Sequence, residues 1–164
     1  MKPRDVGLAI LLTALALVIP LAFTFLRVVI PPFTATLASH VPSMLAVFIS
    51  PAVAVLVGVG STLGFLVATG PVVAARAATH IVWGYMSAVL YRRGWPAWAA
   101  LLAAVVPHAL GEALVVVPFG YDLYRAGVVV GVGTLLHHLV DMGITLAVVA
   151  LLRQARIPLT DGRP

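Results

Sequence analysis

The 164-residue sequence contains no cysteine, and only 9% of its residues are charged. The absence of cysteine excludes disulfide bonds and thiolate metal sites within the chain. The shortage of charge excludes an ordinary soluble globular domain, in which charged residues make up about a quarter of the total. The sequence also leaves no room for a separate soluble domain, so we expect a single membrane domain over residues 1–164.

Apolar residues form 62% of the sequence, and the mean hydropathy is +1.13. Long apolar runs are separated by proline, glycine or arginine, and a run of about 20 residues crosses a bilayer as a helix. We therefore predict an all-α integral membrane protein, a compact bundle of about six transmembrane helices. The predicted helices cover residues 5–27, 38–50, 51–69, 72–92, 96–117 and 126–152, and a hydrophilic tail covers 153–164.

Proline interrupts this pattern at two places. Residues 28–37 include the pair Pro31-Pro32 and predict a loop, because a proline has no amide donor and restricts the residue before it. Pro107 predicts a bend within the fifth helix. The second predicted helix is shorter than the ~20 residues usually needed to cross, so it is the weakest of the predicted spans.

The formal net charge of +5 does not indicate nucleic-acid binding, because the basic residues stand at the ends of the predicted helices. One side of the membrane receives most of them, whereas the other side receives only Arg27 and Arg125. By the positive-inside rule, both the N and C termini are predicted to be cytoplasmic. The residues on the predicted cytoplasmic side are Lys2, Arg4, Arg92, Arg93, Arg153, Arg156 and Arg163.

A polar stripe runs along the last predicted helix. Thr134, His137, His138, Asp141 and Thr145 recur at intervals of mainly three or four residues, so they share one side of an otherwise apolar helix. An ionisable group at membrane depth costs at least ~2 to 3 kcal/mol. The stripe therefore needs partners or a water-filled cavity, and we interpret it as one wall of a site.

Three pairs of ionisable residues are each separated by four positions, which places the two members of a pair on one helix face. The pairs are Arg76 with His80, His108 with Glu112, and His137 with Asp141. The predicted topology brings them into the outer half of the bundle, where they indicate a pocket for a small polar or anionic solute. Its predicted residues are His40, Arg76, His80, Trp83, His108, Glu112, His137, His138 and Asp141.

Two other classes of protein use such residues, namely divalent-metal transporters and membrane enzymes. The candidate ligands or catalytic groups would be His108, Glu112, His137, His138 and Asp141. No HExxH, P-loop or GxSxG motif is present, and Arg76 in the same pocket would repel a dication. We therefore predict no catalytic residue, no metal and no cofactor. A structural alternative stays open, in which Arg76 reaches the membrane interface and the polar pairs hold helices together.

Three segments carry a resemblance to a known family: TLASHVPSMLAVFISP at 36–51, GVGSTLGF at 58–65 and RAATH at 76–80. Together with the small size, the alanine-rich first helix and the proline-containing first loop, they resemble the S components of energy-coupling factor vitamin transporters. These S components are the substrate-binding membrane subunits of such transporters. The segments look most like the niacin-type branch.

The resemblance implies a substrate-binding subunit, and not an enzyme, that captures a small water-soluble vitamin at the outer face of a prokaryotic cytoplasmic membrane. Its implied partners are a membrane T component and two ATPase subunits, which hydrolyse the ATP. The implied gating loops contain Pro31, Pro32, Phe33, Thr34, Gly70 and Pro71. The implied partner surface uses Ala9, Thr13 and Ala14 of the first helix. Metal-specific relatives carry histidine after the initiator methionine, where this chain has Lys2.

For niacin, or a similar small anionic aromatic solute, the resemblance suggests a role for each kind of pocket residue. Arg76 would hold the carboxylate through a charge-assisted hydrogen bond. Trp83 would stack on the ring, and a histidine or Asp141 would address the ring nitrogen. These assignments are hypotheses based on the shared depth and face of the residues.

Overall fold

The computed structural model describes residues 1–30 and 33–157. Within these ranges the chain forms seven α-helices and one two-stranded antiparallel sheet. The helices are α1 Pro3–Ala22, α2 Val41–Ile49, α3 Pro51–Ala68, α4 Pro71–Arg92, α5 Ala97–Leu102, α6 Val105–Val116 and α7 Gly133–Gln154. A π-helix, Tyr124–Val132, leads directly into α7. The predicted helical membrane bundle is thus confirmed.

A β-hairpin occupies most of the segment that was predicted to be a loop. Helix α1 ends at Ala22 and not at residue 27, and a 3-10 turn then leads into β1, Arg27–Ile30, which pairs with β2, Phe33–Thr36. The register pairs Arg27 with Thr36. The run of β-branched residues in β1 favours an extended chain, whereas the apolar character of the same residues predicts the end of a membrane helix. Pro31 and Pro32 lie outside the described residues.

Helix α2 does not cross the membrane by itself. Its nine residues span about 14 Å at ~1.5 Å per residue, roughly half of the hydrocarbon thickness. All of them except Leu45 are buried, so α2 lies inside the bundle. Ser50 then accepts a hydrogen bond from the amide of Val53 and caps α3.

Four helical stretches are long and apolar enough to span a membrane: Pro3–Ala22, Pro51–Ala68, Ala97–Phe119 and Tyr124–Gln154. The third of these combines α5, α6 and a short 3-10 turn. It is interrupted at residues 103–104, one turn before Pro107, because Pro107 has no amide to bond the carbonyl of Ala103. The predicted bend therefore exists, but as a break on the N-terminal side of the proline.

Glycines let α1, α3 and α4 pack at short range. A Cβ atom at Gly58 would lie 2.9 Å from the backbone nitrogen of Ile81 on α4, and one at Gly60 would lie 2.5 Å from Thr13 Cγ2 on α1. Real Cβ contacts are longer than this, so the close approach requires glycine. The resulting core joins α1, α2, α3, α4, α5 and α7, and Trp83 is its largest fully buried side chain.

We expect a Gly58→Ala substitution to destabilise the protein by about 1 to 3 kcal/mol, because the added methyl would meet the backbone of Ile81, which cannot move without shifting α4. The measurement is thermal unfolding in detergent. Gly143→Ala is the matched control, since nothing lies within 4 Å of its added Cβ. Equal melting temperatures for the two variants would contradict the expectation.

Candidate binding site

A cavity of about 290 Å³ opens between the hairpin and helices α1, α2, α3, α4, α6 and α7. Cavities for small molecules commonly measure about 300 to 1,000 Å³, so this one suits a small solute. Its polar lining residues are Arg27, Thr34, Thr36, Ser39, His40, Ser43, Ser61, Thr69, Arg76, His80, Glu112 and His137. Hydroxyl groups, imidazoles and two guanidinium groups therefore face one space, with a single carboxylate among them.

Arg76 and Glu112 form a buried ion pair between α4 and α6. Nε and Nη2 of Arg76 lie 2.8 Å and 2.7 Å from Glu112 Oε2, which also accepts a hydrogen bond of 2.6 Å from Thr134 Oγ1. The Arg76 side chain is 12% exposed, and its Nη1 donates to the carbonyl of Thr34 at 3.4 Å. Arg76 thus faces the cavity, and its guanidinium is held by Glu112 on α6 and by the carbonyl of Thr34 on the hairpin.

Two histidines continue from this pair into the interior. His108 Nε2 lies 3.3 Å from Glu112 Oε1, and His108 Nδ1 lies 2.8 Å from His138 Nδ1. His138 Nε2 lies 3.1 Å from the carbonyl oxygen of Leu101 and donates to it. Both imidazoles are fully buried. The arrangement links the cavity wall to the C-terminal end of α5.

Asp141 holds the turn that precedes α2. Its Oδ1 accepts the amide of Ala38 at 2.7 Å, and its Oδ2 accepts the amide of His40 at 2.9 Å. His137 Nε2 lies 3.0 Å from Oδ2 and also 3.0 Å from the carbonyl of Thr36. Asp141 is fully buried. The carboxylate therefore fixes two segments at the cavity wall and does not itself line the cavity.

The structure separates the nine predicted pocket residues into two groups. His40, Arg76, His80, Glu112 and His137 line the cavity. The residues behind this lining are Trp83, His108, His138 and Asp141. Trp83 packs against His80, His108 and His138 with no exposed surface. Trp83 therefore does not line the cavity in this conformation, because helical spacing identifies a face but not what covers it. Its stacking on a solute ring stays a prediction.

Several lining residues were not predicted. Phe65 is the non-histidine aromatic side chain of the cavity among the described residues, and Ser39, Ser43, Ser61 and Thr69 add hydroxyl groups. Ser61 belongs to α3, whose Gly58 and Gly60 pack against neighbouring helices. Arg27 was interpreted as the end of the first helix, but it lies in β1 at the cavity and donates to the carbonyl of Pro20 at 2.6 Å.

The residues implied as gates have different positions. Phe33 and Thr34 belong to β2, and Phe33 is buried against Gly133, where an added Cβ would lie 3.0 Å from its ring. Gly70 and Pro71 form the turn into α4, with Gly70 at a φ of 97° that favours glycine. Neither Gly70 nor Pro71 lines the cavity. Pro31 and Pro32 lie outside the described ranges.

The three residues implied as the partner surface on α1 have different environments. Ala9 is buried in the core, and Thr13 packs on Gly60 of α3. These two small residues therefore allow α1 to pack closely against the rest of the same bundle, with Thr13 against α3. Ala14 is exposed and is the member of the group that faces outward.

Two groups of side chains have the composition of metal ligands. One consists of His40, His80, His108 and Glu112, and the other of His40, His137 and Asp141; within each group the ligand atoms lie within 4.8 Å of one another. The first group lies at the inner end of the cavity, and the second joins α7 to the turn before α2.

The four apolar helical stretches and the cavity define the class of multi-pass helical membrane proteins with a cavity of a size that suits a small solute. The chain is similar to the niacin transporter NiaX of Lactococcus lactis subsp. cremoris, with 30% identity over 173 residues, covering 94% of this chain and 77% of the relative. The chain therefore belongs to that family, the niacin-type S components of energy-coupling factor transporters. No protein-family profile and no solved structure matches it.

Membership of this family makes the chain a transport protein rather than an enzyme. It also agrees with the resemblance that was stated from the segments at 36–51, 58–65 and 76–80.

Proposed function

We propose that this chain is the substrate-binding subunit of an ATP-driven vitamin uptake transporter and that it captures niacin, or a similar small anionic aromatic solute, at the outer face of a prokaryotic cytoplasmic membrane. The observation that carries the proposal is the guanidinium of Arg76, which faces a small cavity in a bundle related to a niacin transporter. A membrane T component and two ATPase subunits would supply the energy.

A carboxylate is the ligand group that this cavity favours. Arg76 uses Nε and Nη2 for Glu112, and its partly exposed edge carries further N–H donors. Arg27 supplies a second guanidinium at the hairpin. A carboxylate that contacts these groups forms charge-assisted hydrogen bonds, which are about twice as strong as neutral ones.

The remaining lining suits a small aromatic ring. Phe65 provides an apolar aromatic surface, and it is the candidate for ring stacking within the cavity lining. The hydroxyl of Ser43 is buried at the cavity and has no hydrogen-bond partner among the described residues. Because buried polar atoms in proteins are nearly always hydrogen-bonded, Ser43 is a candidate donor to the ring nitrogen or the carboxylate.

Capture from outside is the expectation from the charge distribution. The positive-inside rule predicts cytoplasmic termini. If α2 and the segment before it cross the membrane once together, the hairpin and the turn at Gly70 lie on the outer side, next to the cavity. The hairpin forms one wall through Thr34, Ala35 and Thr36. It is the element that would open to admit the solute and close over it.

The purified protein is expected to bind niacin at least about tenfold more tightly than nicotinamide, because the amide lacks the charge that Arg76 recognises, and a hydrogen bond to a charged group contributes about 1.5 to 3 kcal/mol. Isothermal titration calorimetry in detergent measures both affinities. Equal affinities, or no binding of niacin, would contradict the proposal.

The same titration locates the ligand in the chain. Ser43→Ala should weaken niacin binding, whereas Ser87→Ala should leave it unchanged, because Ser87 also has a buried hydroxyl without a partner in the described chain but does not line the cavity. If both variants bind niacin like the wild type, Ser43 does not contact the ligand.

Energy coupling is tested in cells. Uptake of labelled niacin should require co-expression of the T component and the two ATPases, and mutation of the ATPase catalytic glutamates should abolish it. Uptake at the same rate by cells that carry this chain alone would exclude the ATP-driven mechanism.

A further inference from the structure

We propose that His40, His80, His108 and Glu112 form a buried binding site for a divalent transition-metal ion such as Zn²⁺ at the inner end of the cavity. Their ligand atoms lie within 4.8 Å of one another, and they come from the residue before α2, from α4 and from α6. Three imidazoles and one carboxylate are a ligand set that Zn²⁺ and its neighbours in the first transition row accept. This inference does not depend on the identity of the transported solute.

The separations are close to those of a tetrahedral site. With metal–ligand bonds of about 2.0 to 2.1 Å, the ligand atoms of a tetrahedron stand roughly 3.3 to 3.4 Å apart. His108 Nε2 lies 3.3 Å from Glu112 Oε1, and His80 Nε2 lies 4.0 Å from the same oxygen. The His80 nitrogen is therefore about 0.7 Å (4.0 minus 3.3) farther from this oxygen than a regular tetrahedron requires.

His80 has ring nitrogens without a partner. Both are buried and make no hydrogen bond in the described part of the chain, and the residue is only 7% exposed. Since buried polar atoms in native proteins nearly always have partners, these nitrogens indicate a ligand that has not been counted. A metal ion would use one of these lone pairs directly. His40 is 5% exposed, and its Nδ1 lies 3.4 Å from Asp141 Oδ2.

The hydrogen-bond directions at His108 give an independent argument. His138 Nε2 must donate to the carbonyl oxygen of Leu101, so the Nδ1 of a neutral His138 is an acceptor. His108 Nδ1, 2.8 Å away, is then the donor, and His108 Nε2 carries a lone pair. This lone pair points at the carboxylate oxygen of Glu112. Two acceptors at this distance repel each other unless a cation lies between them.

Glu112 and His40 have neighbours of the kind found in the outer shell of a metal centre. Arg76 and Thr134 bind Glu112 Oε2 and leave Oε1 for an ion, while Asp141 Oδ2 lies 3.4 Å from His40 Nδ1. A carboxylate or carbonyl behind each histidine is the usual way to orient metal ligands. The two carboxylates together carry the charge that balances a dication, and the guanidinium of Arg76 leaves one net positive charge in the cluster.

Cobalt(II) titration of the full chain in detergent, after removal of metal by a chelator, tests the proposal. The wild type should bind one Co²⁺ per chain with the intense visible absorption of a tetrahedral site, and Zn²⁺ should displace it. The affinity of His80→Phe for Co²⁺ should fall by at least about tenfold. Mutations of the residues that support metal ligands already cause losses of about that size. Phenylalanine can keep the ring contacts of His80 with His40 and His108, and no hydrogen bond from the His80 ring is lost.

The matched control is Trp83→Phe, which also alters a buried ring with an unpartnered nitrogen beside the site but removes no ligand. It should bind Co²⁺ like the wild type. The proposal is overturned if the wild type shows no tetrahedral Co²⁺ spectrum, in which case a proton between His108 and Glu112 is the cation. It is equally overturned if His80→Phe binds Co²⁺ with wild-type affinity while His137→Gln does not. That result would assign the ion to the group of His40, His137 and Asp141. Niacin is absent throughout, so these results leave the proposed transport function untouched.

Discussion

An Asp141→Ala variant is expected to lose about 3 to 5 kcal/mol of folding free energy, the usual result of removing one partner from a buried ionic network. The carboxylate is fully buried and accepts the amides of Ala38 and His40 together with the Nε2–H of His137. Without it, these donors are left in the interior with fewer acceptors. Niacin binding should be lost as well, because the same contacts position His40 and His137 at the cavity.

The structural change caused by Asp141→Ala should begin at the turn before α2. Ala38 has a φ of 68°, a left-handed conformation that costs a non-glycine residue roughly 1 to 2 kcal/mol. The hydrogen bond from its amide to Asp141 stabilises that conformation. Loss of the carboxylate should therefore release the turn first, and with it the start of α2.

Thermal unfolding in detergent, with increasing denaturant, measures the loss. Asp141→Asn should fall between the wild type and Asp141→Ala, because one acceptor oxygen remains. Asp122→Ala is the control, since Asp122 is exposed, pairs with Arg125 at the surface, and should cost about 1 kcal/mol or less. A melting temperature of Asp141→Ala equal to that of Asp122→Ala would show that Asp141 does not hold the turn.

The sequence pattern predicts contacts within one helix well. His108 and Glu112, and His137 and Asp141, are four residues apart, and the structure brings each pair together at 3.3 Å and 3.0 Å. This success has a simple cause, because the geometry of an α-helix fixes which side chains are neighbours on its surface.

Contacts between helices are beyond the same reasoning. The pairing of Arg76 on α4 with Glu112 on α6 depends on how the helices rotate about their axes, and an apolar membrane segment carries little information about that rotation. Trp83 shows the limit of predicting from one helix. It shares a helix with Arg76 and His80, yet it lies behind His80 in the core and not in the cavity.

The hairpin escaped prediction for a different reason. Residues 27–36 are few, are exposed along β1 and include Pro31 and Pro32, so a pattern of long apolar runs predicts only a connection here. Their β-branched residues were the available signal. This missed element matters for function, because it brings Arg27, Thr34 and Thr36 to the cavity.

An Arg76→Met variant is expected to lose both stability and niacin binding, whereas the double variant Arg76→Met/Glu112→Gln should regain most of the stability and still not bind. The single change leaves the Glu112 carboxylate buried without its guanidinium, which should cost about 3 to 5 kcal/mol. Replacing both charges by neutral side chains removes that cost, and the side-chain amide introduced by Glu112→Gln retains an oxygen that can accept from Thr134.

The double variant separates folding from recognition. If Arg76 holds the carboxylate of the solute, loss of that contact weakens binding by about 1.5 to 3 kcal/mol, which is roughly a 10- to 150-fold increase in Kd, even in a well-folded protein. Glu112→Gln alone should keep or improve niacin affinity, because it frees the guanidinium for the ligand. Calorimetry measures the niacin affinity of all three variants, and melting curves measure their stability. Wild-type affinity in the double variant would mean that Arg76 serves only as the partner of Glu112. Recognition of the anion would then fall to Arg27.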